Sequence, residues 1–584
     1  MTEPTPSRHP GLVMRYADFG TIAEALDYAA LGPTGLNFYS GRGTLLEALP
    51  YRVLRQQSVA LARRMLGAGL QPGCRVGLVA ESDGDFARAF FACQYAGIVP
   101  VPLPLPAAFG GKSSYVAHLR RMIERAQADA LFGPASIEPW LREAATGIDA
   151  RIVATLAALD GVASVAGALP DQNEDGVAYL QFSSGSTRFP SGIAISQRAF
   201  MAHTRNVGLH GLQLVEGDRG VSWLPFYHDM GLVGFLLMPM AFQGSVDLIP
   251  PHEFVRRPLV WLQLISRNRG TLSYSPSFGY ELCARGAERA STEGLDLSSW
   301  RSAGIGGDLI RPNVLTSFAE RFARHGFDAR AFVPSYGMAE ATLALCIAPL
   351  RHGARSDIVD AVILENEHRA VPVRGAERRS RTFILCGSIL VGHDLEVRDE
   401  VGRRLPERRV GRIFVRGPSL MSGYFDAPEE TARVMAGDGW LDTGDLGYLL
   451  DGQVVVTGRA KDLIIVHGRN LWPQDLEWTV ETEVGLLRSG DVAVFSVSGE
   501  LGEEVVALVQ CRTRDPAGRD ALAAQVATII RGRHSVEANV VLVPPHALPQ
   551  TSSGKLSRSR ARALYLAGSF APDGAPLAAR AEGE

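Results

Sequence analysis

A chain of 584 residues exceeds what one hydrophobic core supports, since single cores stop growing at about 250–300 residues, so at least two domains are expected. With 46% hydrophobic and 21% charged residues the composition is globular, and a net charge of -3 excludes a chain that binds nucleic acid or an anionic membrane by bulk positive charge. The six cysteines (Cys74, Cys93, Cys283, Cys346, Cys386, Cys511) are scattered without a C-x-x-C pair, which argues against a zinc site or a disulfide framework and for a reducing, cytoplasmic setting.

The polar, proline-bearing start (MTEPTPSRHPG) lacks the apolar core of a signal peptide. Residues 75–80 (RVGLVA) then read as a buried strand, 86–98 as an apolar helix and 99–105 (VPVPLPL) as an extended proline-studded segment. Residues 115–126 follow as an amphipathic helix and 130–132 as a strand. This alternation predicts an α/β fold with mostly parallel sheets, helices on both faces and ligands beyond the strand C-termini. The greasy stretch 231–242 is shorter than the roughly 20 residues that span a bilayer and reads as a buried helix, so no stable membrane insertion is expected. From about Gly458 a second rhythm begins: strands at 463–466, 493–497 and 505–510, helices at 473–481 and 520–531. The small, polar residues 571–584 are expected to be disordered.

The strongest local feature is Phe182-Ser183-Ser184-Gly185-Ser186-Thr187-Arg188-Phe189-Pro190-Ser191-Gly192, which follows a strand-like run. Small hydroxyl residues around a glycine let backbone N–H groups converge and add donors, which suits a polyphosphate. The same composition also serves an ordinary surface turn. Gly110-Gly111-Lys112-Ser113 lacks the first glycine of a Walker loop, Pro106 standing in its place, and reads as a solvent loop. Gly304-Ile305-Gly306-Gly307 lacks the third glycine of a dinucleotide fingerprint, yet lets backbone approach a flat ligand closely.

The loop is followed by Trp223-Leu224-Pro225-Phe226-Tyr227-His228-Asp229-Met230-Gly231, by residues 304–308, and by Ser335-Tyr336-Gly337-Met338-Ala339-Glu340-Ala341-Thr342. Residues 439–447 (GWLDTGDLG), 458–462 (GRAKD) and 549–555 (PQTSSGK) complete the series. This ordered set, spread over nearly the whole chain, resembles the adenylate-forming superfamily of acyl-CoA synthetases, luciferases and peptide-synthetase adenylation domains. The resemblance implies ATP and Mg²⁺ as cofactors. Ser183, Ser184, Gly185, Ser186 and Thr187 would hold the β- and γ-phosphates, with Arg188 beside them. Tyr336 would stack on adenine, flanked by Ser335, Gly337, Met338 and Ala339, with Gly306, Gly307 and Asp308 at the purine edge. Asp445 and Arg459 would meet the ribose. Glu340, with Thr187, would ligate Mg²⁺. Lys555, a compact charge, would bridge the acid's carboxylate and the α-phosphate. His228 reads either as a group near that carboxylate or as a buried structural histidine. Trp223, Phe226, Met230, Gly231, Phe278 and Tyr280 are candidates for the acyl pocket, although aromatic clusters also form plain core.

Within the superfamily the chain resembles fatty acyl-AMP ligases. Its loop reads Ser-Thr-Arg-Phe-Pro-Ser-Gly where acyl-CoA synthetases usually carry Ser-Thr-Gly-x-Pro-Lys-Gly, so Ser191 stands where that lysine would be. Roughly 45 residues separate Glu340 from Cys386, more than the next strand needs. The resemblance implies that this insertion, about 351–381, docks on the large domain and limits rotation of the small one about a hinge at Lys461; a tolerated surface loop is the other reading. Residues 27–39, 222–232 and 468–476 also read like bacterial stand-alone acyl-AMP ligases, whereas Asp308 and Arg412 depart from the usual text.

The expectation is therefore an α/β enzyme with an ATP- and acyl-binding domain over 1–458 and a mobile α/β domain over 459–570 that carries Lys555. It would activate a long-chain fatty acid as acyl-AMP, release pyrophosphate and pass the acyl group to an acyl carrier protein, or to a carrier domain of a polyketide or peptide synthase. No nucleic-acid partner is expected. The rivals are a long-chain acyl-CoA synthetase and a degenerate adenylate-binding scaffold; retention of Glu340, Asp445 and Lys555 counts against the latter.

Overall fold

The computed structural model describes residues 3–8, 11–106, 111–182, 191–373, 379–435, 437–466, 469–499, 502–551 and 555–570. The expected disordered tail, 571–584, lies outside them. The centre is a nine-stranded sheet in the spatial order Ser388–Ile389, Ala344–Ile347, Phe332–Gly337, Ser302–Ile305, Leu272–Ser275, Arg219–Ser222, Ser245–Leu248, Gly35–Tyr39, Leu45–Pro50. The six inner strands from Phe332–Gly337 to Gly35–Tyr39 run parallel. Their side chains are mostly buried, as in helix-covered parallel strands, and mix apolar residues with hydrogen-bonded polar ones such as Asn37, Arg219, Asp247 and Ser273.

A second, all-parallel sheet joins Val99–Leu103, Arg75–Val79, Ala130–Phe132 and Ile152–Ala154. The proline-studded segment is thus a strand rather than a mere linker. It occupies the sheet edge, where Pro100 and Pro102 need not donate to a neighbour. The helix after Arg75–Val79 begins at Gly84, because the Asp83 carboxylate accepts from Phe86 N–H at 2.9 Å, and closes on Gly97 at φ 68°. Lys112 and Ser113, expected in a solvent loop, open the helix Lys112–Ala126 instead. The stretch 231–242 is helical as expected, but it passes from Asp229–Gly231 through a π-helical turn, Leu232–Leu237, to Met238–Ala241.

Among the described residues three antiparallel sheets complete this part of the chain, the largest of them Asp394–Arg398, Gly411–Arg416, Leu441–Leu450, Gln453–Arg459. Beyond it Val492–Gly499, Gly502–Gln510 and Ala538–Val543 form a separate sheet, flanked by the helices Pro473–Glu483, Pro516–His534 and Arg558–Leu566 and carrying its own apolar clusters. All six cysteines are buried free thiols, and burial pushes those of Cys93, Cys283, Cys346 and Cys386 above their ordinary value, Cys386 to about 12. Among the described residues no helix is long and apolar enough to cross a membrane.

Two neighbouring parallel strands of the main sheet are joined by a buried ion pair, Arg219–Asp247 at 2.6 Å. Asp247 also accepts from Asn37 at 3.0 Å and Asn268 at 2.9 Å. Removing the carboxylate strands a buried guanidinium. Asp247→Ala is therefore expected to cost about 3–5 kcal/mol of stability, read as a lowered denaturant midpoint with an unchanged slope.

Candidate active site

Two adjoining cavities, of about 630 and 220 Å³, share Gly307, Ser335, Tyr336, Gly337, Arg459, Lys461 and Lys555. They lie beyond the carboxyl ends of Ser302–Ile305 and Phe332–Gly337, neighbouring parallel strands with Ile305 opposite Pro334. The loops leaving those strands touch through backbone: a Cβ on Gly306 would meet Ser335 O at 2.7 Å. Gly307 has φ +79°, and a Cβ there would meet Met230 Sδ at 2.7 Å and Lys555 Nζ at 3.7 Å. Both positions require glycine.

Asp445 and Arg459 are partners across the hairpin formed by Leu441–Leu450 and Gln453–Arg459. The Tyr336 hydroxyl donates to Asp445 Oδ2 at 2.9 Å, and Arg459 Nε lies 3.3 Å from Oδ1. Burial pushes the Asp445 carboxyl above the usual range, while Arg459 and Tyr336 oppose the shift. Glu340 sits on the tight turn Ala339–Ala341 and accepts from the Tyr424 hydroxyl at 3.0 Å; burial raises it too. The next turn is strained. Thr342, a β-branched residue, has φ 69° and is held by its hydroxyl to Ser419 O at 2.8 Å, with Leu343 N–H donating to Ala341 O across it. Among the described residues no group of three His, Cys, Asp or Glu could hold a metal alone. The single carboxylate of Glu340 fits Mg²⁺, which takes one or two carboxylates and fills its other positions with phosphate oxygens and water.

His228 Nδ1 lies 2.7 Å from Asp229 Oδ1. Burial pushes Asp229 up, yet His228, Lys555 and the Met230 N–H together outweigh it and hold this carboxyl below the usual range. Lys555 reaches this group from the C-terminal unit, its N–H donating to the Thr551 hydroxyl at 3.2 Å and its carbonyl accepting from Thr551 N–H at 2.7 Å. Burial lowers its ammonium pKa, opposed by Asp308, Asp229 and Asp445. Lys461, on the turn Ala460–Asp462, is lowered by burial to about 8.

The structure therefore gathers Gly306, Gly307, Asp308, Ser335, Tyr336, Gly337, Met338, Ala339, Glu340, His228, Asp445, Arg459 and Lys555 around one cleft. Ser183, Ser184, Gly185, Ser186, Thr187 and Arg188 lie outside the described residues. Beside them, the Ser191 hydroxyl donates to Glu430 at 2.7 Å, and Glu430 pairs with Arg125 at 3.2 Å.

The acyl candidates need correction. Of the six, Met230 borders the larger cavity. Trp223 stacks on Phe254 at 4.0 Å, with Phe278 edge-on to it at 5.4 Å, and Phe226 stacks on Phe86 at 5.5 Å. The Tyr280 hydroxyl donates to Gly304 O at 2.8 Å, and a Cβ on Gly231 would meet Pro225 O at 2.1 Å. Trp223, Phe226, Gly231 and Tyr280 are core, and Phe278 packs against it half-buried. The apolar wall comes instead from Val207, Leu212, Phe235, Met238, Phe242 and Ile347. Val207 and Phe235 belong to π-helical turns, Val207–Gly211 and Leu232–Leu237, a feature common at functional sites. Asp229 and Tyr424 were missed as well, although the former stands beside a singled-out histidine.

The stretch 351–381 is no free loop. Strands Ser356–Asp360 and Ser380–Ile384 form a hairpin, with the helix Ala361–Glu367 between them. Asp357 ties it to the large unit, accepting from Arg408 at 3.0 Å and the Tyr448 hydroxyl at 2.7 Å. Glu365, paired within the insertion with Arg379, ties it to the C-terminal unit through Arg469 at 2.8 Å. Arg381 pairs with Asp475 at 2.8 Å and lies over the Trp472 ring at 4.5 Å.

The AMP-binding enzyme family matches residues 43–425. The chain is 53% identical to a putative acyl-CoA synthetase of Caulobacter vibrioides, over 98% of this chain and 99% of that protein. It is 31% identical to a medium-chain-fatty-acid–acyl-carrier-protein ligase of Moorena producens, over 95% and 97%. A solved chain from work on fatty acyl-adenylate ligases of E. coli and L. pneumophila superposes with a TM-score of 0.90 at 45% identity, covering 95% of this chain and 99% of that one.

Gly307→Ala tests the cleft's geometry. The added methyl displaces the Met230 sulfur from beside Lys555, and acid-dependent pyrophosphate release is expected to fall about 100-fold with the thermal midpoint little changed.

Proposed function

From the chain's membership of the AMP-binding enzymes, among their fatty acyl-AMP ligases, we propose that it activates a long-chain fatty acid as acyl-AMP and then passes the acyl group to the phosphopantetheine thiol of an acyl carrier protein. The observation that supports this most is the reach of Lys555 into a cavity that holds Asp229, Glu340 and Tyr336 at one end and is apolar at the other. In the first step a carboxylate oxygen attacks the α-phosphorus of ATP, the bond to the bridging oxygen breaks, and pyrophosphate leaves with the electron pair. Lys555 Nζ lies between carboxylate and α-phosphate and stabilises the charge that builds up there. His228, oriented by Asp229, faces the carboxylate. Adenine lies between Tyr336 and the Gly306-Gly307-Asp308 backbone, and Asp445 and Arg459 hold the ribose. Glu340, with Thr187, would hold Mg²⁺, which supplies charge neutralisation to the phosphates. In the second step the thiol sulfur attacks the acyl carbonyl, the bond to AMP breaks, and the thiol proton passes to solvent.

Three features favour a carrier protein over CoA: Ser191 at the loop-lysine position, the carrier-protein ligase among the relatives, and the insertion's grip on the C-terminal unit. A turn of that unit about Lys461 must break the Glu365–Arg469 and Arg381–Asp475 pairs. The name of the Caulobacter relative favours the other reading, a CoA ligase. AMP release measured with CoA and with phosphopantetheinylated carrier protein as competing acceptors separates the two: carrier-dependent turnover is expected to dominate, and equal turnover with CoA selects the second reading.

Lys555→Ala is expected to cut acid-dependent pyrophosphate release about 10²–10³-fold while ATP binding persists. Because burial lowers Lys555 from 10.5, its charge is lost as pH rises through a value below that, so wild-type activity should show an alkaline limb that Lys555→Arg moves upward. Unchanged turnover in Lys555→Ala removes this residue from the mechanism. Glu365→Ala, which unfastens the insertion from Arg469, is expected to raise CoA-dependent thioester formation; a folded variant with unaltered acceptor preference rules out the gate.

A further inference from the structure

The larger cavity runs from Lys555, beyond the carboxyl ends of the parallel strands, to Gly220, Ser245 and Leu272 at their amino ends, and part of its wall there comes from a segment with no assigned role. Ser7, Leu12 and Met14 border it, together with Leu214, Val215 and Gly217. Ser7, Leu12 and Met14 precede the first helix, Ile22–Ala29. The segment is held firmly on both sides of them. Upstream, the buried Thr5 donates its N–H to Asn37 Oδ1 at 2.8 Å, and its carbonyl accepts from Arg219 Nη1 at 2.7 Å. The same nitrogen donates to the Ser7 hydroxyl at 3.2 Å, so the strap is fastened to the buried Arg219–Asp247 pair of the central sheet. Downstream, Arg15 N–H donates to Gln243 Oε1 at 2.8 Å, and the Tyr16 ring meets Phe242, itself a cavity residue, edge-on at 5.8 Å. Between these anchors Val13 is 77% exposed, whereas Leu12 and Met14 are half-buried against the cavity.

We propose that Leu12 and Met14 are specificity-determining residues that limit the length of the acyl chain. The inference rests on the fatty-acid reading given above. The carboxylate is fixed at the polar end by Lys555 and His228, so each added methylene carries the terminal methyl further along the apolar wall toward the strap. A wall anchored by a buried ion pair yields little, and side-chain volume at positions 12 and 14 then decides which chains fit.

The test uses wild type, Leu12→Trp, Met14→Trp and Met14→Ala with saturated acids of about eight to about twenty carbons, in steps of one buried CH₂ pair. Two quantities are read for each acid: kcat/KM for pyrophosphate release, and Kd by calorimetry without turnover. Both Trp variants are expected to keep wild-type values on the shortest acids and to lose at least about tenfold on the longest, while Met14→Ala gains up to about fourfold per newly accommodated methylene. Folded Trp variants whose length profile matches wild type overturn the assignment, as does a uniform loss at every length, which marks a merely structural role. Wild type that binds acids with a length limit shortened by the Trp variants, yet releases no pyrophosphate, overturns the adenylation reading and leaves the strap's role standing. Wild type that neither binds nor turns over any acid overturns both.

Discussion

The structure turns on one ammonium group. Lys555 comes from the C-terminal unit, yet its Nζ lies beside Gly307 and is electrostatically coupled to Asp308, Asp229 and Asp445 of the large unit. Removing a lysine head from water is unfavourable, and its lowered pKa records that cost. Three carboxylates offset it. In turn the lysine helps hold Asp229 ionised against its own burial, and Asp229 orients His228. The C-terminal unit must dock for this network to exist, and the insertion's pairs to Arg469 and Asp475 hold the docked arrangement.

What could be read from the amino-acid order was the set of motifs. Three of them, at 223–231, 304–308 and 335–342, lie at the carboxyl ends of parallel strands of one sheet, so topology brings His228, Gly306, Tyr336 and Glu340 together once the sheet forms. Glycine positions were legible for the same reason: Gly306 and Gly307 abut backbone and sulfur, where no side chain fits. The cavity's apolar wall was not legible. An aromatic residue packs as readily into core as along a tunnel, and Trp223, Phe226, Phe278 and Tyr280 took the first course. The residues that do form the wall sit partly on π-helical turns, whose altered spacing no 3.6-residue pattern reveals. Prolines hid the edge strand Val99–Leu103, since only the absence of an outer neighbour makes them acceptable there.

The insertion shows why a loop reading and a docking reading were both open at the level of sequence. Its composition is polar, but its carboxylates have specific partners: Asp357 meets Tyr448 and Arg408 of one unit, Glu365 meets Arg469 of the other. Only three-dimensional pairing distinguishes a solvated acidic residue from one that joins two units.

The six buried thiols have a consequence of their own. An acyl-adenylate is a potent acylating agent, and thiolates are its natural targets. Cys386 borders the smaller cavity, but its pKa of about 12 keeps it protonated at neutral pH, and the other five are buried as well. A catalyst that makes a thiol-seeking electrophile thus carries no competent thiol of its own, and its product is spared from self-modification until an external acceptor arrives.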